Sequence, residues 1–569
     1  MSRSRKIQSP DVLIIGAGPA GSTFARVLAQ AGQKVLMLDA GAQFSDRPGR
    51  VLKNMFKYQR DLNQFTYMIQ GLLHPLSVPP GGGERREIDP IAWRPPGEVY
   101  DPNRFSTRGP INTRQNPDRN LDGESVAFGV GGMMMHWTAA TPRHHPRLER
   151  YRFGDIKADH EQDQRWNAMY DEAERLLGTN SKTFEYSIRN TIVRDALEAH
   201  YRQRGAHFPK NYGVQNLPMA VRRSDDSKNS EFTIYTGTDH ILAEVLDDSA
   251  LSNNLEILPE HRVKKLRLKG GRVDGAEVED LMAGERYEIR ARQFVVACGA
   301  VMSAYVLWNS GIKLPALGRY IIEHPIAFCQ IVLRQEIIDS IRENPEFRPK
   351  VEQQGERDRR ACEASGAGGT AAAGPADAPI DPLPIPMDDP PPNIWIPVSD
   401  DRPWHCQIHK DAFHYGALPP GIDDRLIVDL RWFALLEPRA ENRVRFERDN
   451  FTAFGTAQPT FEFELSNTER QRMHDMMDDM LGAASSLGAF LPGTEPRFMP
   501  KGLALHIQGT TRMGTDPATS VVDEHLRVHG VDNLFVGGNG VIPTGNASNP
   551  TLTNVALALR SARHMLHDS

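Results

Sequence analysis

Gly16, Gly18 and Gly21 form a GxGxxG pattern that directly follows the apolar run from Val12 to Ile15 and directly precedes a segment of helical periodicity. Asp39 closes the next apolar run, 18 residues beyond Gly21. The chemistry that wants this arrangement is dinucleotide binding. Glycines let the backbone approach a pyrophosphate, a helix N-terminus supplies free N–H groups and partial positive charge, and a carboxylate accepts from adenosine ribose hydroxyls. The pattern does not by itself separate FAD from NAD. Two more glycine clusters, Gly129-Val130-Gly131-Gly132 and Gly537-Gly538-Asn539-Gly540, point to a long dinucleotide held tightly through the fold, although each alone reads as an ordinary turn.

Other reactive residue types make weaker cases. His405, His409 and His414 are close enough to suggest a metal, but no carboxylate or cysteine completes a ligand set, so no metal is expected. His144-His145, ahead of Pro146, reads as a solvated turn. Cys298, Cys329, Cys362 and Cys406 lie at least 31 residues apart, which leaves no CxxC pair and fits thiols in a reducing, cytoplasmic compartment.

The elements that must position the glycines read as a βαβ opening: strand from Val12 to Ile15, helix from Ser22 to Ala31 stopped by Gly32, strand from Lys34 to Leu38. Residues 44–120 show little periodicity beyond a helix expected over Leu52 to Leu73, and read as an arm-like excursion. Helices are expected over 160–178 and 189–202, then a hairpin turned at Gly270-Gly271, then a buried strand in RQFVVACGA. Residues 351–392 are poor in large apolar side chains and read as a flexible insertion. Beyond them LIVDLRWFALL, NRVRFER and TFEFEL are strand-like, and Ser466 with Glu469 forms a capping box before a helix running to about Leu487. The 569 residues carry 67 basic and 73 acidic side chains, a formal charge of −6 that gives no electrostatic case for nucleic acid or an anionic membrane. No run of about 18 apolar residues offers a membrane span.

Longer stretches carry a resemblance. VLIIGAGPAG, FGVGGMMMHWTAATPR, LGRYIIEHP, HIQGTTRMG, NLFVGGNGVIPT and SNPTLTNVALAL resemble the glucose–methanol–choline oxidoreductases. YQRDLNQFTYMIQGLLHPLSVP, LLGTNSKTFEYSIR, WHCQIHKDAFHYG and VDLRWFA extend the resemblance to the pyranose oxidase group of that family, over nearly the whole chain outside the proline-rich insertion. The resemblance implies an α/β fold in which a discontinuous Rossmann-like FAD-binding domain interleaves with an α+β substrate domain on a mostly antiparallel sheet. The expected segments are 1–150, 231–330 and 496–569 for the FAD domain and 151–230 and 331–495 for the substrate domain.

Carried over residue by residue, it makes His506 the catalytic base and Asn549 its partner. Asn549 also reads from sequence as the N-cap of a helix whose first residue is Pro550. His136 matches a histidine that tethers the flavin covalently in many pyranose oxidases, with Met134 and Met135 standing where small hydroxylated residues are usual. Trp137, Thr138, Val263, Gly538, Asn539 and Thr551 join Gly16, Gly18, Gly21, Asp39, Gly131 and Gly132 as expected FAD contacts. Gln407, Asp411, Phe413, Tyr415 and Arg431 match the substrate loop and a neighbouring sugar-facing strand. The implied reaction oxidises a ring hydroxyl at C2 or C3 of a pyranose or glycoside, with dioxygen or a quinone as acceptor. The alternatives are a C-glycoside 3-oxidase, an alcohol or choline-type dehydrogenase of the same family, and an FAD-binding protein without redox turnover. The oligomeric state is left open.

Overall fold

The computed structural model describes residues 6–55, 73–76, 112–204, 213–224, 232–353, 355–356, 381–409, 418, 421–452 and 455–567. The βαβ opening forms as expected. Strand Val12–Ile15, helix Pro19–Gln30 and strand Val35–Leu38 start a five-stranded sheet completed by Leu255–Leu258, Gln293–Val296 and Leu534–Val536. Every pairing in it is parallel. The strands Val12–Ile15 and Val35–Leu38 are buried at every position, as expected for a parallel sheet covered on both faces, which is why their sequences do not alternate. The five strands come from beginning, middle and end of the chain, so the FAD-type domain is discontinuous.

A second sheet runs Gly488–Phe490, Ile326–Leu333, Ile427–Ala434, Trp404–His409, Asn393–Ile396 and Gln215–Asn216, with Arg497–Phe498 also on Ile326–Leu333, all antiparallel. Its side chains alternate between two buried environments. Val428, Leu430, Trp432, Ala434, Trp404, Cys406 and Ile408 pack on helices Ile188–Gln203 and Asn467–Leu487. Asp479 of the second helix accepts from Trp404 Nε1 at 2.9 Å and Trp432 Nε1 at 2.8 Å, pinning helix to sheet. The intervening residues, His405, Gln407, Arg431 and Phe433, face the other way. The helix begins with the expected capping box, Ser466 Oγ accepting from Glu469 N and Glu469 Oε2 from Ser466 N.

Three expectations change. Leu52–Asn54 is a single 3-10 turn, not the start of a helix continuing to Leu73: Met55 leaves it in an extended conformation and Leu73–Pro75 is a strand, with 56–72 outside the described residues. The part of the expected flexible insertion that is described at its far end, 381–392, is packed, with Ile385 buried, Asp381 paired to Arg425, and Asp389 accepting from Ser187 Oγ and the Ile188 and Arg189 amides. Short polar side chains hold this segment where apolar ones are scarce. His144 and His145 are buried, not solvated, because the chain after them folds back over a buried carboxylate.

Candidate active site

The two sheets enclose a cavity of 410 Å³ whose lining runs from Gly16, Gly18 and Asp39, past Gly132, Val263 and Gly538-Asn539, to His506 and Asn549. At the first end the glycines divide the work. Gly16 has φ 105°, and its amide donates to the Leu38 carbonyl at 2.7 Å. A Cβ at Gly21 would run into the Gly16 carbonyl oxygen, so this glycine brings helix against turn and does not line the cavity. A Cβ at Gly18 would meet no protein atom within 4 Å, since the residue opens onto the cavity. Gly131 likewise supports without lining: its amide donates to the Ala17 carbonyl at 3.1 Å, while Gly132 reaches the cavity against Gly18.

Asp39 accepts from Ala17 N at 2.9 Å through one carboxylate oxygen and from Gly41 N at 2.8 Å through the other. Burial pushes it up to about 6 against the pull of those amides. Each oxygen keeps a second lone pair for a ribose hydroxyl. The cradle therefore has what a pyrophosphate and ribose need: an unobstructed glycine at a helix N-terminus, with a carboxylate beside it.

At the other end Gln407 and Arg431 are direct cross-strand partners, as are His405 and Phe433. Gln407 and Arg431 project into the cavity together, and Arg431 donates through Nη2 to the His409 carbonyl at 2.9 Å. Gln407 Nε2 donates to Asn549 Oδ1 at 2.6 Å, and Asn549 Nδ2 lies 3.3 Å from His506 Nε2. Both side-chain ends of Asn549 are thus used in the site. The expected N-cap is corrected accordingly: helix Thr551–His567 starts after Pro550, whose carbonyl accepts from Asn554 N at 2.9 Å.

His506 follows Leu505, which is held at φ 59°, and its amide donates to the buried Glu323 at 3.0 Å. Withdrawal from solvent, reinforced by His324, His405 and Arg431, keeps the His506 imidazole well below its usual value, so the ring is uncharged at neutral pH. His136 is 1% exposed, lines the cavity beside Trp137 and Thr138, and is held down to about 4 by burial and then by Lys53. Thr551 is also in the lining; Asp411, Phe413 and Tyr415 lie outside the described residues. Among the described residues no group of three His, Cys, Asp or Glu could hold a metal ion; His409, one of the histidines weighed for that role, pairs through Nδ1 with Asn393 Oδ1 at 2.6 Å.

Comparisons with known proteins identify the family. Family profiles described as GMC oxidoreductase cover residues 131–326 and 438–558, and one described as FAD binding domain covers 9–54. A pyranose 2-oxidase of Lyophyllum shimeji is 38% identical over 98% of this chain and 91% of its own length. The chain belongs to the GMC oxidoreductase family. A C-glycoside 3-oxidase of Microbacterium trichothecenolyticum is 30% identical over 98% of this chain and 96% of its own. The structure of a pyridoxine 4-oxidase from Mesorbium loti superposes with a TM-score of 0.60 at 18% identity, over 98% of this chain and 99% of that one, and shares the fold. This GMC oxidoreductase is an FAD enzyme, and the cradle around Gly18 fits that cofactor. Among the described residues no helix is long and apolar enough to cross a membrane.

The GMC site contains residues that sequence reasoning passed over. His324 stands within the LGRYIIEHP run, yet nothing in its spacing marked it; its ring packs on His506 with centroids 5.1 Å apart. Glu149 is buried and accepts four hydrogen bonds: from Ala547 N at 2.8 Å, Ser548 N at 2.9 Å, Ser548 Oγ at 2.9 Å and His145 N at 2.6 Å. Burial raises this carboxyl, but His144 and the backbone amides outweigh that and hold it below the usual range. It clamps the loop that delivers Asn549. Glu149→Gln puts an NH2 where only acceptors fit. Leaving a buried donor unpaired costs about 1–3 kcal/mol, and a loop displaced by a fraction of an ångström lowers flavin reduction roughly tenfold to hundredfold. A thermal melt and a stopped-flow trace read the two effects.

Proposed function

We propose that this GMC oxidoreductase oxidises a secondary ring hydroxyl, at C2 or C3, of a pyranose or its glycoside to the keto-sugar. The observation that carries this reading is the pairing of Gln407 and Arg431 across two strands, aimed into the same cavity as the His506–Asn549 pair. A sugar ring offers several adjacent hydroxyls, each both donor and acceptor, and this group of amides, guanidinium and imidazole answers several at once; a short alcohol needs only the base and its partner. FAD, when bound, supplies the two-electron acceptor for the hydride that leaves the carbinol carbon. His506 Nε2 takes the hydroxyl proton as that C–H bond breaks, and Asn549 Nδ2 holds the same oxygen without competing for the proton. Gln407 and Arg431 would fix which ring hydroxyl meets His506. The names of the Lyophyllum and Microbacterium relatives support a sugar as substrate and dioxygen as final acceptor, with formation of hydrogen peroxide; a quinone is the other acceptor to be assayed.

The test is product identification. Free pyranoses and C- and O-glycosides are turned over with dioxygen or a benzoquinone, peroxide is assayed, and the product is located by carbon NMR. A carbonyl at C2 or C3 supports the reading, and the 30% identity to the Microbacterium enzyme gives C3 of bulky glycosides a specific place in the panel. Oxidation confined to choline or short alcohols contradicts it.

We also propose that His136 carries the flavin covalently. The neutral imidazole has a nitrogen lone pair to give, and it lies on the cavity wall between Gly132 and Thr138. Acid precipitation is expected to leave yellow flavin in the pellet for the native protein and in the supernatant for His136→Ala. Release from the native protein contradicts the tether.

A further inference from the structure

The buried polar cluster behind His506 has hydrogen-bond directions that fix one another. Asn546 Nδ2 lies 2.9 Å from the Thr544 carbonyl oxygen, which only accepts, so the amide cannot be turned round. The same Nδ2 donates to Gln508 Oε1 at 2.9 Å, and Gln508 Nε2 donates back to Asn546 Oδ1 at 2.9 Å. Asn546 Oδ1 is therefore an acceptor on the side where His324 Nε2 comes to 2.7 Å. Two lone pairs facing at that distance repel, so His324 Nε2 carries a hydrogen. Gln508 Nε2, 3.3 Å from the same ring nitrogen, is a donor and does not alter this.

A neutral imidazole has one N–H. Burial holds His324 down to about 4, with Asn546, Glu149 and His144 as the lesser influences, so its Nδ1 is a bare acceptor at neutral pH. That atom lies 3.1 Å from His506 Nδ1. The contact is a hydrogen bond when His506 Nδ1 bears the hydrogen, which leaves the lone pair of His506 on Nε2, facing Asn549 and the cavity.

We propose that His324 is a positioning residue, fixing His506 in the tautomer whose Nε2 lone pair meets the substrate and steadying the imidazolium formed when the proton arrives. This rests on His506 being the base. In the proton step the substrate O–H bond breaks and a His506 Nε2–H bond forms, while the Nδ1–H stays in its bond to His324. The chain of donors ends at Asn546 Oδ1, an amide oxygen that takes no proton. The proton accordingly stays on His506 and leaves by the cavity side. Glu323 at the His506 amide, His405 and Arg431 beside its ring, and Glu149 and His144 near His324 are the other titratable or charged groups around the pair.

Three holoenzyme variants at His324, one at His506 and one spectroscopic measurement test this. His324→Asn places an amide oxygen near the lost Nδ1, His324→Gln reaches Asn546 instead, and His324→Leu does neither. Anaerobic flavin reduction at saturating sugar is expected to fall about a hundredfold in the Gln and Leu variants, with the half-saturating sugar concentration little changed. The Asn variant should recover to within roughly fivefold of native, as expected when one acceptor is what matters. Equal losses in all three, or native rates in Gln and Leu, overturn the proposal. Nitrogen NMR of native, 15N-histidine-labelled holoenzyme, with His506 assigned by its absence in His506→Ala, should show a protonated Nδ1 and a bare Nε2; the opposite pattern overturns it even where a variant fails to fold. His506→Ala separates the two layers. Native reduction in that variant refutes the base itself, whereas a blocked His506→Ala beside a fast His324→Leu refutes only the positioning role.

Discussion

Replacing His506 by alanine leaves a folded, flavin-containing protein that sugar no longer reduces. The backbone amide that anchors this residue to Glu323 survives the substitution, and the FAD cradle around Gly18 lies at the far end of the cavity. What disappears is the acceptor for the hydroxyl proton. Loss of a positioned general base costs about 10²–10⁴-fold, so the rate constant for anaerobic reduction should fall by that factor while the flavin absorbance remains. The native pH profile carries the same signature. Only neutral imidazole accepts a proton, and His506 is held below the usual histidine value of about 6.5 by burial first and by His324, His405 and Arg431 next. The native rate should therefore hold as pH falls through that value and decline only further into acid, and this limb should vanish in His506→Ala. An unchanged reduction rate in the variant sinks the assignment.

Gly18→Val should give a folded protein without flavin. Gly18 sits at φ −73° and ψ −174°, extended backbone that any residue adopts, and an added Cβ meets no protein atom within 4 Å. The added methyls enter the cavity instead, where a pyrophosphate must approach the helix N-terminus. Gly21→Val makes the contrast, because its Cβ strikes the Gly16 carbonyl oxygen and comes within 3.3 Å of Ile14 Cγ2. That variant should lose the fold. The ratio of flavin to protein absorbance, read with a thermal melt, distinguishes them; a fully flavinylated Gly18→Val contradicts the placement of the cofactor.

Local rules made part of this legible. The GxGxxG turn, the Ser466–Glu469 cap and the strand-like run LIVDLRWFALL each depend on neighbours in sequence, and each formed as the residues indicate. The supporting polar groups were hidden because their partners are remote. Glu149 bonds to residues 398 and 399 positions away, and His324 meets His506 across 182. No window of sequence holds both ends of such contacts. The burial of His144-His145 was missed for a related reason, since the turn packs on Tyr170, 26 residues on, and beside Glu149, which reaches the Ala547-Ser548 loop. Asn549 shows the reverse failure: a local capping signal was present, and a tertiary pairing with Gln407 and His506 took the side chain instead.

In the proposed reaction a sugar ring, held by Gln407 and Arg431, surrenders hydride in this cavity. Anaerobic mixing of the holoenzyme with single pyranoses, their glycosides, choline and short alcohols, followed by flavin absorbance, tests it most directly. The flavin should bleach with at least one pyranose or glycoside and stay oxidised with choline and short alcohols, whereas bleaching by the simple alcohols alone, or by none of the compounds, contradicts the account.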